Sequence, residues 1–161
     1  MTQQIVIQKI GHITVFFSTL DFFVTRFIIE LVTDDYKATK PSLNDNTTLG
    51  AKLARIEKLQ DQDVISPQVL QHIKNFLPEA MEVSRIRNRF MHDQWVFNPE
   101  TLAKGIINRV EFTDLKGWNT DSKLPMPYTE KDLEDVLSRI GALQTVFANA
   151  VETLQRPPAK P

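Results

Sequence analysis

The chain has 161 residues, no cysteine and a formal net charge of −1. That length is enough for one domain with a real hydrophobic core. The lack of cysteine excludes disulfides and thiolate chemistry and fits a cytoplasmic protein, while near-neutrality excludes a molecule-wide field for polyanions, so any nucleic acid must be held by a local patch. Met1-Thr2-Gln3-Gln4 lacks the basic flank of a secretory signal.

The first predicted helix runs from about Ile5 to Val32. Ile13, Phe16, Phe17, Leu20, Val24, Phe27, Ile28 and Leu31 follow helical spacing and predict the face turned to the core. Val15, Phe22 and Ile29 recur every seven residues on another side, and Thr14, Ser18, Asp21 and Thr25 leave only a narrow polar strip. One core does not need two apolar faces. The second face fits either deep burial or, as the favoured reading, a homodimer interface. Asp21 and Arg26 interrupt the apolar run. Each costs roughly 2.5–3.5 kcal/mol at a bilayer centre, so a soluble helix is expected and no membrane partner.

Asp34 to Thr48 reads as a polar connection, with Thr48 as N-cap of a short second helix through Leu59. Ser66-Pro67 predicts the N-cap and first position of a third helix, and Pro78 is expected to kink or restart it before it ends at Asp93 or Gln94. Between Trp95 and Tyr128 the helical period is lost. Trp95-Val96-Phe97 and Ile106 to Phe112 read as strands, with a turn at Asn98-Pro99-Glu100. Thr129 caps the last helix, whose seam is Leu133, Val136, Leu137, Ile140, Leu143, Phe147, Val151 and Leu154. The expected fold is all-α: an antiparallel four-helix bundle with a β-hairpin insertion between helices three and four. Residues 1–155 form one domain. In the expected disordered tail, 156–161, prolines cannot continue a helix.

The third helix carries an anomaly. With about 100° per residue and Ile73 at the centre of its inner face, Phe76, Leu77, Ala80, Ser84 and Met91 cluster around it. Arg87 then falls roughly 40° to one side and Asn88 roughly 60° to the other, both inward. His92 sits four residues after Asn88 on the same flank. Arg85 and Arg89 fall near Glu82 on the solvent side, and Glu82 and Arg85 have ion-pair spacing. An inward guanidinium needs an anion. Asp21 or Glu30 of the first helix would be a structural partner, and His92 would then merely cap the helix end. The other reading is a site for a phosphodiester.

Arg87-Asn88-x-x-x-His92 resembles the Arg-polar-x-x-x-His signature of the HEPN superfamily, placed on a late helix of a helical bundle as it is in that family. The lead-in, a Leu49-Gly50 helix followed by a Pro-started helix, is also similar. Arg85 with His92 fits a looser spacing, but Ile86 is not polar and Arg85 faces outward. The resemblance implies a metal-independent endoribonuclease that acts on RNA as a dimer, of the kind found as toxins with a protein antitoxin, in phage defence or in RNA processing. Arg87, Asn88 and His92 would be catalytic, and Arg85, Arg89 and Asp93 would bind substrate. Asp93 is a departure, since relatives often carry a small residue there. The alternative is a non-catalytic dimeric HEPN module that binds RNA, nucleotide or a protein partner.

No cofactor or metal is expected. His12, His72 and His92 show no ligand spacing, no Gly-rich phosphate loop is present, and no serine has a nucleophile-elbow context.

Overall fold

The computed structural model describes residues 1–31, 48–59, 67–92, 94–110 and 126–155. Among them the chain is mostly helical. Four long helices, α1 (Gln3–Leu31), α2 (Leu49–Leu59), α3 (Pro67–His92) and α5 (Glu130–Gln155), are joined by a short helix, α4 (Pro99–Ala103), and three strands. The strands β1 (Gln94–Val96), β2 (Ile106–Val110) and β3 (Met126–Thr129) form one antiparallel sheet in the order β1-β2-β3.

The helices form where apolar spacing and caps allow. Thr48 accepts the Ala51 amide through its hydroxyl and starts α2. Thr129 and Asp132 form a reciprocal capping box at the start of α5: each side chain accepts the other's backbone N–H. The α3 helix runs unbroken through Pro78, so the expected restart is absent. Pro78 is exposed.

The core lies between α1, α2, α3 and α5. Ile13, Phe17, Leu20, Val24, Phe27 and Ile28 enter it from α1, as predicted, and meet Leu133, Ile140, Leu143 and Phe147 of α5. Phe27 and Phe147 pack edge to face at 5.8 Å. Phe16 departs from the predicted stripe and is 42% exposed. Met91 also departs and is 40% exposed. The inner face of α3 drifts toward Val83 and Phe90 in its last turns, because Phe90 is drawn under the sheet.

The insertion differs most from expectation. Asn98-Pro99-Glu100 is not a simple turn. Asn98 caps α4 by accepting the Glu100 amide at 2.8 Å, with Pro99 as the first helical residue. Phe97 lies outside β1, and β3 is a third strand where a hairpin was expected. The sequence before Thr129 contains two prolines, which disguised it; Pro127 sits on an edge strand, where a missing N–H is tolerated. The sheet docks on the end of α3. Phe90, Trp95 and Tyr128 pack mutually edge to face, and the Trp95 indole N–H donates to the Phe90 carbonyl at 3.0 Å. That bond satisfies a carbonyl which the helix terminus leaves open. Arg109 of β2 is fully buried, with its guanidinium over the Tyr128 ring.

Candidate functional site

Three of the long helices line an open cavity of about 410 Å³. From α3 it is lined by Ser84, Arg87, Asn88 and His92, from α1 by Phe17, Ser18 and Asp21, and from the start of α2 by Thr48 and Leu49. The three residues of the sequence motif therefore open onto one space, although Arg87 and His92 are about 140° apart on their helix.

Arg87 is half-buried. Its guanidinium lies over the Phe17 ring, 4.8 Å from the centroid, and one terminal nitrogen donates to Asn88 Oδ1 at 3.1 Å. Its Nε is buried with no hydrogen-bond partner. No carboxylate among the described residues lies within ion-pair distance of it. An ionised donor left in this state is costly unless a ligand completes it.

Both acids that would have paired it are occupied. Lys52 Nζ of α2 donates to both oxygens of Asp21, at 2.9 and 2.7 Å, and to Thr25 Oγ1 at 2.9 Å. Glu30 binds Arg26 one turn away, at 3.0 Å. The predicted polar strip on α1 thus supplies the wall that faces α2 and the cavity.

Asn88 is exposed and not turned inward as expected. It sits at the rim and holds Arg87 from outside. His92 is the last residue of α3. It is exposed and makes no side-chain hydrogen bond to the described residues. Arg85 is exposed, bound to Glu82 at 2.7 Å and away from the cavity lining. Arg89 is exposed and also does not line it. Of the local basic strip Arg85-Arg87-Arg89, Arg87 lines the cavity and the other two do not. Asp93 lies outside the described residues, as does Ser66.

Lys52 escaped the sequence reading, which offered Asp21 only as a partner for Arg87. A signal existed. Leu49, Leu53 and Ile56 mark the inner face of α2, and Lys52 falls beside them. A lysine there needs an acid, and the polar strip of α1 offers one.

Among the described residues no three His, Asp or Glu side chains gather as a metal site. The α1 helix has the length and apolarity of a membrane-crossing segment, and a third of that stretch is buried within the fold. Comparison with protein-family models, with curated proteins and with solved structures gave no match to this chain.

Proposed function

We propose that this protein is a metal-independent endoribonuclease of HEPN type, with its long helices arranged as the antiparallel four-helix bundle of that family. The observation that carries the proposal is Arg87: a cation with an unsatisfied buried nitrogen and, among the described residues, no acid partner, opening onto a cavity shared with Asn88 and His92. RNA supplies its own nucleophile. The 2′-oxygen attacks phosphorus and gives up its proton to an imidazole acting as general base. The P–O5′ bond breaks, and the departing oxygen takes a proton from a second acid. Arg87 holds the phosphoryl oxygens as charge builds on them, and Asn88 fixes the guanidinium. The products are a 2′,3′-cyclic phosphate and a 5′-hydroxyl.

The described lining of one cavity provides one imidazole, and among the described residues His92 is held by no hydrogen bond. A second copy supplies the other. Val15 and Phe22 of α1 are 63% and 58% exposed. They flank Ser18, which lines the cavity. A homodimer through this face would bring two cavities together, with one His92 as base and the other as acid. A cytoplasmic toxin with a protein antitoxin is the setting this reading favours.

The test is cleavage of RNA in EDTA by wild type, Arg87→Ala and His92→Ala. Cleavage by wild type and its loss in both variants supports the proposal. An inert wild type, or variants that cut equally well, sinks it. The unheld imidazole also favours a second reading, a non-catalytic dimeric module that binds RNA, nucleotide or a protein partner. Expression that does not harm a bacterial host, with dimerisation intact, would favour that reading.

A further inference from the structure

Ser84 carries a buried hydroxyl that the fold does not use. It sits on the inner face of α3, 4% exposed, three residues before Arg87 and on the same flank. A helical serine or threonine can satisfy its hydroxyl on the carbonyl four residues earlier. Thr14, Ser18 and Thr25 of α1 all do so. Ser84 does not, and it has no other hydrogen-bond partner among the described residues. Alanine would fill the position without the cost of a desolvated hydroxyl. The serine side chain lines the cavity instead.

Its Oγ lies at the first turn of α2, 3.8 Å from where a Cβ would stand on Gly50. Cα–Cβ bonds tilt toward a helix N-terminus, which puts the hydroxyl on the side of the open end of α2. That end has donors to spare. Thr48 accepts the Ala51 N–H through its hydroxyl and the Lys52 N–H through its carbonyl. Among the described residues nothing accepts from the N–H groups of Leu49 and Gly50. Thr48 and Leu49 line the cavity with Ser84 and Arg87. Asp21 lines it too, but Lys52 binds both its oxygens, so that pair brings no net charge to the space. What faces the ligand here is a set of donors: the Arg87 guanidinium with its unsatisfied Nε, the Ser84 hydroxyl, and two N–H groups at the positive end of a helix dipole. An anion with several acceptor oxygens satisfies them together. Resting on the reading of Arg87 as the holder of phosphoryl oxygens, we infer that this corner is a phosphate seat. Ser84 and the first turn of α2 complete the donor set that Arg87 begins, and they fix where the phosphorus lies.

The test is titration of the full chain with inorganic phosphate, read by backbone amide NMR, beside an RNA-cleavage assay. The Leu49 and Gly50 amide protons should move downfield and saturate together, and sodium chloride at equal ionic strength should leave them in place. Ser84→Ala should weaken phosphate binding about ten- to a hundredfold, the usual worth of a hydrogen bond to a charged group. Its melting temperature should match or exceed that of wild type, since the hydroxyl bonds nothing in the fold. A 2′-O-methyl oligonucleotide, which offers phosphodiesters but no nucleophile, should move the same two amides. Should Ser84→Ala fail to fold, the wild-type amide shifts decide. Phosphate that leaves those amides unmoved, or a folded Ser84→Ala that binds it as wild type does, overturns the inference; RNA cleavage that persists in that case leaves the nuclease reading intact. Phosphate that moves them in a chain that neither binds the oligonucleotide nor cuts RNA supports the seat and defeats the nuclease reading alone.

Discussion

Lys52 grips Asp21 through both carboxylate oxygens and so removes from Arg87 the acid that would have neutralised it. The pair also ties α2 to α1. Asp21→Ala would leave the Lys52 ammonium, which is 9% exposed as a residue, with Thr25 as its remaining acceptor. The expected loss is about 1–3 kcal/mol, the cost of stranding a buried donor. Urea denaturation reads it directly, and a cycle with Lys52→Ala gives the coupling. A loss no larger than that of an exposed ion pair, below about 1 kcal/mol, would mean that the pair does not organise this wall.

Arg87 should behave in the opposite way. Among the described residues its Nε has no partner and no acid pairs with its charge, so the folded chain bears a cost there. Arg87→Met keeps the contact with Phe17 and removes the charge. Stability should be unchanged or should rise by up to about 1–2 kcal/mol, as when activity rests on a locally unfavourable group. RNA cleavage should fall by about 10²–10³-fold, the usual worth of one transition-state donor. A fall in stability of about 3–5 kcal/mol, the penalty for breaking a buried ion pair, would instead mark Arg87 as structural.

The motif was legible because it breaks a pattern. Arg87 stands where helical spacing demands an apolar residue, and that is visible in a string of letters. The core face of α1 was legible for the same reason, except at Phe16, where the width of the covered arc is set by how α5 lies across it. Asn88 was misplaced because a helical wheel gives an angle and not a depth; at roughly 60° from the face centre it reaches the rim. The pairing of Asp21 with Lys52 was hidden because the two meet across two helices, 31 residues apart. The strand at Met126–Thr129 was hidden by prolines that only an edge position tolerates.

The cap of α5 makes stability depend on acidity. Two hydrogen bonds, from the Thr129 hydroxyl and the Thr129 backbone N–H, hold the Asp132 carboxyl below its ordinary value of 3.8. A carboxyl lowered on folding contributes stability above its unfolded value, and the contribution is lost as pH falls through the lowered one. Glu79, lowered by its bond to Arg139, acts in the same direction. Wild type should therefore exceed Asp132→Asn in melting temperature by a constant margin at neutral pH, and the margin should shrink below pH 3.8. Asp132 is exposed and solvent screens it, so the margin is that of a helix cap, about 1 kcal/mol. A margin that grows on acidification would contradict the sign.

The outer face of α1 makes the most exposed claim. Val15 and Phe22 lie opposite the residues that α1 buries, beside the cavity, and Phe22 packs edge to face on Phe23 without being covered. Association through this face would remove that apolar surface from water at about 25 cal/mol per Å². It would also set two cavities side by side. Val15→Glu and Phe22→Glu put charge on the same face without touching Arg87, Asn88 or His92. In light scattering after gel filtration, wild type should have twice the chain mass and both variants the single mass. Their melting temperatures measured at low concentration should stay near that of wild type, since neither side chain is in the core. Cleavage should fall with dimer content and return at high protein concentration if the variants still associate weakly. A wild type that runs as a single chain and still cuts RNA would leave the second imidazole without a source and require both proton transfers to be made within one cavity.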